Sequence, residues 1–383
     1  MKRRIIIGLG IFILSIIFIL QLAKKNYYYK TLWYNMPGIF DNSIFESRII
    51  HAAAKPQKWC YASNYFKSSI SKELSDTLKK FETTSLVIIQ HDSIIIEKYF
   101  KGAQDYTRSN SFSVSKSFIG ALIGRAIKLG YIKSIDQPVA DYIRQFKQGD
   151  KKKITIRHLL TMSSGLDWDE SYSSLFSETS EAYYGTELEK QVLSLPVRKQ
   201  PGIYFEYKSC DTEILAIVLM HATGMNVSTF LEKELWIPMG ASEASWSLDH
   251  INGIEKAYCC MYATAKDFAR LGSLYLHKGN WKGQQLIDSS YIKQSITASH
   301  LLDPKSELPT NLYGFQWWII DDYKGISAFY MRGILGQNVV VIPSMNIVIV
   351  RMGHKRGNKI GMHYSEMYAL LDFIHDSEKG IIE

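Results

Sequence analysis

Ser113-Val114-Ser115-Lys116 runs almost directly into Phe118-Ile119-Gly120-Ala121-Leu122-Ile123, and this junction decides how the chain is read. The lysine follows the first serine by three positions, about one helical turn, so hydroxyl and amine share a helix face. The apolar run after them predicts a buried helix. A serine hydroxyl is a poor nucleophile until a base takes its proton, and Lys116 stands where that base is needed. At the amino end of a core helix, Ser113 would also have the helix dipole favouring negative charge on its oxygen.

Spacing alone is weak, because Ser-x-x-Lys recurs at Ser69 to Lys72 and at Ser290 to Lys293. Serines near helix starts are also common as caps. Context separates the copies. Leu86-Val87-Ile88-Ile89, a polar His91-Asp92-Ser93 turn and Ile94-Ile95-Ile96 predict a hairpin leading toward Ser113. The other two copies lie in charged stretches that read as solvated faces.

The 383 residues, 46% hydrophobic, suffice for one large core or two lobes. Ile5 to Ala23 form an almost unbroken apolar segment, preceded by Lys2, Arg3 and Arg4 and followed by Lys24 and Lys25. That length can span a bilayer. A cleaved signal peptide competes with an uncleaved anchor, but no small-x-small pair marks a cleavage site, so the anchor is preferred. Flanking charge only weakly favours a cytoplasmic amino terminus, with the remainder periplasmic or at the cell surface. The formal charge of +8 is concentrated at the start. Residues 1–30 hold six basic residues and no acidic ones, leaving 39 basic against 37 acidic. The footprint of a nucleic-acid binder is therefore missing, and Lys151-Lys152-Lys153 reads as a solvated loop. Cys60, Cys210, Cys259 and Cys260 lack zinc-knuckle spacing, and sequence does not pair them. Neither an HExxH pattern nor a clustered His/Asp/Glu set points to a metal.

Three regions follow: an anchor over 1–25, an aromatic stalk and packing segment over 26–75, and a main domain over 76–380. Within the last, residues 156–166 predict a helix ended by Gly165, 168–186 a long cleft loop, 212–223 an apolar helix before Gly224, and 262–271 a further helix. Residues 313–320, 326–332, 337–342 and 347–352 read as strands, and 364–375 as a closing amphipathic helix. Strands at both ends of a helical middle predict an α+β fold: one antiparallel sheet built from both ends, flanked by helices, with an inserted helical lobe.

Several segments together resemble the serine beta-lactamase and DD-peptidase superfamily, in its class C-like branch, over most of residues 80–355. They are the Ser-x-x-Lys helix, Ile156-Arg157-His158-Leu159-Leu160-Thr161-Met162-Ser163-Ser164-Gly165-Leu166, Pro201-Gly202 leading to Phe205-Glu206-Tyr207, the 262–271 helix, and Tyr313-Gly314-Phe315-Gln316-Trp317-Trp318. The resemblance implies a beta-lactamase/transpeptidase-like fold and Ser113 as nucleophile. Tyr207-Lys208-Ser209 matches the family's Tyr-x-Ser form, which implies Tyr207 as general acid/base and Ser209 beside the substrate. Tyr172-Ser173-Ser174 fits the same short pattern without the Pro-Gly turn. A phenol near an ammonium is expected to have a lowered pKa.

The third motif departs from the family. Met331-Arg332-Gly333 stands where lactamases carry Lys-Thr-Gly and DD-peptidases often His-Thr-Gly. The following Ile334-Leu335-Gly336-Gln337 is similar to the form of aminohexanoate-dimer hydrolases and related esterases. The alignment implies an oxyanion hole from the backbone N–H groups of Ser113 and Ile334. Arg332, Gly333 and Gln337 become candidate substrate contacts with Ser209, although strand alternation leaves the direction of Arg332 open. The expected activity is a membrane-anchored serine hydrolase cleaving an amide or ester through an acyl-enzyme, with a small-molecule or peptide substrate and no cofactor or metal. A DD-peptidase or lactamase, and a non-catalytic binding protein on the same fold, are the alternatives. Substrate identity and oligomeric state are not legible.

Overall fold

The computed structural model describes residues 2–22, 27–34, 36–65, 69–174 and 176–378. Lys24 and Lys25, expected to flank the anchor, lie outside them, as do the last residues of the 76–380 assignment.

The central strands are apolar at consecutive positions, a pattern that belongs to a sheet covered on both faces. Seven strands form that sheet, in the order Trp318–Tyr323, Ile326–Gly333, Gln337–Ile342, Ile347–Gly353, Thr83–Gln90, Ser93–Tyr99, Cys60–Tyr61. Carboxy-terminal and amino-terminal strands meet where Val350 pairs with Val87 and Ile349 with Ile88. The sheet is antiparallel except at its edge, where Cys60–Tyr61 runs parallel to the strand beginning at Ser93. The expected hairpin is present. His91 and Asp92 both take positive φ, as a tight two-residue turn between twisted strands requires.

Alternation along these strands separates two cores. Val87, Ile89, Val339, Val341, Val348 and Val350 face the larger one, together with Phe118 and Ile119 of the helix Ser115–Lys128 (α4). Leu86, Ile88, Val340, Ile342, Ile347 and Ile349 face the other, closed by Leu74 and Leu78 of Lys72–Lys80 (α3) and Leu370, Leu371 and Ile374 of the final helix Ser365–Glu378. The helical lobe, including Leu188–Ser194 (α7) and Ser209–Thr223 (α8), is inserted between the two sets of strands. Gly224, at φ +70°, ends α8 as a left-handed cap.

Some expectations shift. The 156–166 segment is helical only over Ile156–Leu160 (α5); Met162 takes a positive φ and the chain becomes irregular well before Gly165. Residues 168–186 contain a helix, Glu178–Tyr184 (α6), capped by Ser177. The 262–271 helix starts later, at Ala265, because Thr264 caps it while Met261–Ala263 forms a strand. Residues 313–317 turn before the strand at Trp318, with Gln316 at positive φ.

The 26–75 segment is woven into the body more fully than a stalk would be. Ser47–Ile50 pairs with Ala244–Ser247 in a second, four-stranded sheet, and Cys60–Tyr61 joins the main one. At the amino end Lys2–Leu22 (α1) precedes a short helix, Tyr27–Tyr34 (α2). Among the described residues no single helix is long and apolar enough to cross a membrane; Ile6–Leu20 is a shorter apolar helix.

Candidate active site

Ser113 lies in a 3-10 turn, Phe112–Val114, immediately before α4. Phe112 has a φ of +44°, a left-handed conformation that a non-glycine residue holds only when its surroundings fix it. The fixing contacts are visible: the Phe112 N–H donates to Asn110 Oδ1 at 2.8 Å, and the Ser111 N–H donates to the Met261 carbonyl at 2.8 Å. Ser115 and Ser117 donate to the Ala257 and Gln316 carbonyls, so the whole elbow is pinned.

One turn on, Lys116 is buried in the core and its Nζ meets three oxygens: Ser113 Oγ at 3.3 Å, Ser209 Oγ at 3.1 Å and the Tyr258 carbonyl at 2.7 Å. Burial lowers its pKa to about 8, against the opposing pull of Glu170 and Glu213. The Tyr258 carbonyl is held in place by Glu213, whose Oε2 accepts from the Ala257 N–H at 2.8 Å. Burial keeps that carboxyl well above the usual carboxylate range.

Tyr207 is a polar neighbour of Ser113, whose hydroxyl acts on the phenol. Its ring packs 5.3 Å from Trp318 and lies 5.4 Å from Lys116 Nζ. The phenol is raised above its ordinary value rather than lowered, because burial and the Glu170 carboxylate outweigh the lowering effect of the Ser113 hydroxyl. A proton donor at neutral pH is the consequence. Ser209, the first residue of α8, bridges Lys116 to Glu170: its Oγ donates to Glu170 Oε1 at 2.7 Å and its N–H to Oε2 at 2.7 Å.

Glu170 escaped the sequence reading, although the loop that carries it was singled out. It accepts four hydrogen bonds, the other two from Trp168 Nε1 at 2.7 Å and Tyr172 OH at 2.6 Å. Tyr172 therefore bonds Glu170 and lines the same cavity, while Tyr207 holds the place beside Ser113. A carboxylate two residues from an indole and two from a phenol was the available signal.

Ser113, Tyr172, Ser209, Tyr258 and Ile334 line one tight cavity of ≈ 50 Å³. Gly333 approaches so closely that a Cβ there would collide with the Ser111 carbonyl, which explains glycine at this position. The turn Ile334–Gly336 then puts Ile334 at the cavity wall. The remaining candidates lie elsewhere. Gln337 is fully buried, its amide donating to the Ile334 and Gly353 carbonyls and accepting from the Gly353 N–H, so it holds the turn rather than facing the cavity. Met331 packs in the larger core. Arg332 stacks on Trp318, its guanidinium carbon 3.4 Å from the ring centroid, and donates to the Met362 carbonyl at 2.7 Å. Its charge still reaches Tyr207 and Tyr172.

Two further features were not foreseen. Adjacent Cys259 and Cys260 form a disulfide, with Cys259 at the cavity, while Cys60 and Cys210 are free. Thr31 of α2 and Pro37, both from the amino-terminal segment, complete the cavity wall. Among the described residues no group of three or more His, Cys, Asp or Glu could hold a metal ion.

The Beta-lactamase family model matches residues 72–366, from α3 into the final helix. The chain belongs to the beta-lactamase family. It is similar to the 6-aminohexanoate-dimer hydrolase of Paenarthrobacter ureafaciens, 25% identical over 297 residues that cover 73% of this chain and 74% of that one. Among solved structures, a Bacillus anthracis protein provisionally given the same hydrolase name superimposes with a TM-score of 0.75 at 21% identity, covering 89% of this chain and 93% of its own. A family VIII carboxylesterase gives 0.64 at 14% identity, covering 86% and 99%. The beta-lactamase/transpeptidase-like α+β fold is thereby shown, and this family member is a serine hydrolase.

Proposed function

We propose that this serine hydrolase cleaves an amide or ester through a covalent acyl-serine intermediate, with Ser113 as nucleophile. The observation that carries the reading is the buried Lys116 amine within hydrogen-bonding reach of Ser113 Oγ and Ser209 Oγ. In its neutral form Lys116 takes the Ser113 proton as Oγ attacks the substrate carbonyl carbon. The tetrahedral oxyanion is then received by the backbone N–H groups of Ser113 and Ile334. Tyr207, held protonated, gives its proton to the leaving nitrogen or oxygen and recovers one from Lys116. The carbonyl–leaving-group bond breaks, and the acyl group remains on Ser113. Water attacks that ester in the second half-reaction, passing a proton back through the same groups and freeing Ser113.

The 6-aminohexanoate-dimer hydrolase and carboxylesterase likenesses support linear amides or simple esters as the substrate class. Met331, buried where lactamases keep a cation, weighs against lactams. The amino-terminal segment supports attachment to a membrane, with the enzyme on the extracytoplasmic side, since Ile6, Ile11, Phe12, Leu14, Phe18 and Ile19 of α1 are all exposed. A helix apolar on every side is stable when something apolar covers it.

Fluorophosphonate labelling followed by peptide mass spectrometry tests the nucleophile. Label is expected on Ser113 alone, and Ser113→Ala is expected to abolish ester hydrolysis with little effect on folding, since the Ser113 side chain caps no helix N–H. Label on Ser69 or Ser290 would reject the assignment.

A further inference from the structure

The amino-terminal segment does two things at once. Its inner face closes the active site: Tyr27 is buried, Thr31 and Pro37 line the Ser113 cavity, and Tyr34 stacks on Tyr184 at 6.2 Å and 9°. Its outer face is apolar and uncovered. Leu32 is 70% and Trp33 82% exposed, and Met36 follows them at the surface. Phe176, 77% exposed, adjoins the same helix through Tyr28, with ring centroids 5.7 Å apart. Isolated exposed apolar residues are ordinary, but a contiguous patch at the rim of an active site marks a surface that another phase or partner covers.

The chain itself points to the occupant. Five Cα-to-Cα steps separate Leu22, the end of α1, from Tyr27, the start of α2, so these ends are at most about 18 Å apart. If α1 is embedded in lipid, the outer face of α2 cannot be far from the bilayer surface. Its composition suits that surface: Tyr and Trp gather at the lipid–water boundary, where an apolar ring meets polar headgroups. The sequence adds Lys24 and Lys25 just before the same helix, cations suited to anionic headgroups.

We propose that the outer face of α2 seats in the headgroup layer of a phospholipid bilayer, and that the Ser113 site draws its substrate, an amphiphilic acyl ester or amide, from that layer. This rests on the acyl-serine reading above and names its substrate class. Seating α2 places the cavity wall made by Thr31 and Pro37 at the membrane boundary, so an acyl compound anchored in lipid can present its carbonyl to Ser113 without leaving the bilayer.

Trp33 supplies the test, since it is the one exposed tryptophan of the eight. The full chain is reconstituted in phosphatidylcholine/phosphatidylglycerol vesicles, with and without brominated phosphatidylcholine. Bromolipid quenching of tryptophan fluorescence is expected in the wild type and lost in Trp33→Phe. In a Leu32→Ser/Trp33→Ser variant, kcat/KM for vesicle-borne p-nitrophenyl dodecanoate is expected to fall tenfold or more, while kcat/KM for soluble p-nitrophenyl acetate stays within twofold. Equal loss on both esters, quenching that survives Trp33→Phe, or a Trp33 shielded within a dimer by sedimentation would overturn the proposal. The two readings fail separately: a wild type that neither takes fluorophosphonate nor cleaves either ester defeats the acyl-serine reading and the substrate class with it, whereas quenching judges the seating of α2 without turnover.

Discussion

Lys116 carries the sharpest consequence at the scale of a single residue. Its amine touches only neutral oxygens, and burial brings its pKa down to about 8. A lysine with a depressed pKa is charged below that value and neutral above it, and only the neutral amine can accept the Ser113 proton. The kcat/KM for a soluble ester should therefore rise about tenfold per pH unit on the acid side and level off above about pH 8. Tyr207 adds no falling limb in that range, because its phenol is shifted upward. A pH–rate profile from 6 to 9.5 checks this, and a flat one would remove Lys116 as the base. Lys116→Arg is expected to be inactive, since a guanidinium stays protonated throughout.

Among the elements, the turn Ile334–Gly336 governs the site from behind. Leu335 at φ +61° and Gly336 at φ +82° bend it back toward Gln337, and Arg351 holds it there. This guanidinium is buried within the sheet and donates to the Leu335, Gly336, Lys355 and Phe81 carbonyls and to Thr83 Oγ1. Burial lowers its pKa to about 10, so it stays charged at neutral pH. Arg351→Met would take a donor from the part-buried Leu335 and Lys355 carbonyls, each loss costing about 1–3 kcal/mol, while Gly336 keeps Asn338 and Phe81 keeps the Lys355 N–H. The expected result is a loss of about 2 kcal/mol or more in chemical denaturation, with kcat reduced more than KM as Ile334 drifts from its position. Unchanged kcat in a folded variant would separate the turn from catalysis.

The same elements show what could be read beforehand. Leu86-Val87-Ile88-Ile89 and the last two strands were legible because burial on both faces leaves an uninterrupted apolar run. Ser113, Lys116 and Tyr207 were legible through motifs whose spacing follows from a helix turn and a Pro-Gly turn. Glu170 was hidden because Ser209, the partner that ties it to Lys116, reaches it only after the loop folds over α8. Arg351 had a signal that went unused: a lone charge inside Ile347-Val348-Ile349-Val350-Arg351-Met352 must find buried partners. Gln337 was misdirected by the resemblance, since its motif position says nothing of which way an amide turns.

For the whole molecule, the amino-terminal segment divides into two parts with different physical duties. Most of the described apolar side chains up to the end of α1 are exposed, whereas Tyr27 and Ile39 are buried against the body and Thr31 and Pro37 wall the cavity. Two truncations separate these duties. Removing residues 1–25 takes away exposed apolar surface but keeps α2, so the thermal midpoint and soluble-ester kinetics of the remainder should be nearly intact. Removing residues 1–45 also uncovers the sites of Tyr27 and Ile39, side chains whose burial contributes about 1.5–3 kcal/mol each. Its Tm should fall by several degrees or more, at about 2–4 °C per kcal/mol for a domain of this size or slightly smaller. The KM for p-nitrophenyl acetate should rise about fivefold or more as the cavity loses a wall, with Ser113 still labelled by fluorophosphonate. Scanning calorimetry and steady-state kinetics on both truncations decide the matter, and indistinguishable Tm and KM values would reduce the segment to a tether with no part in the site.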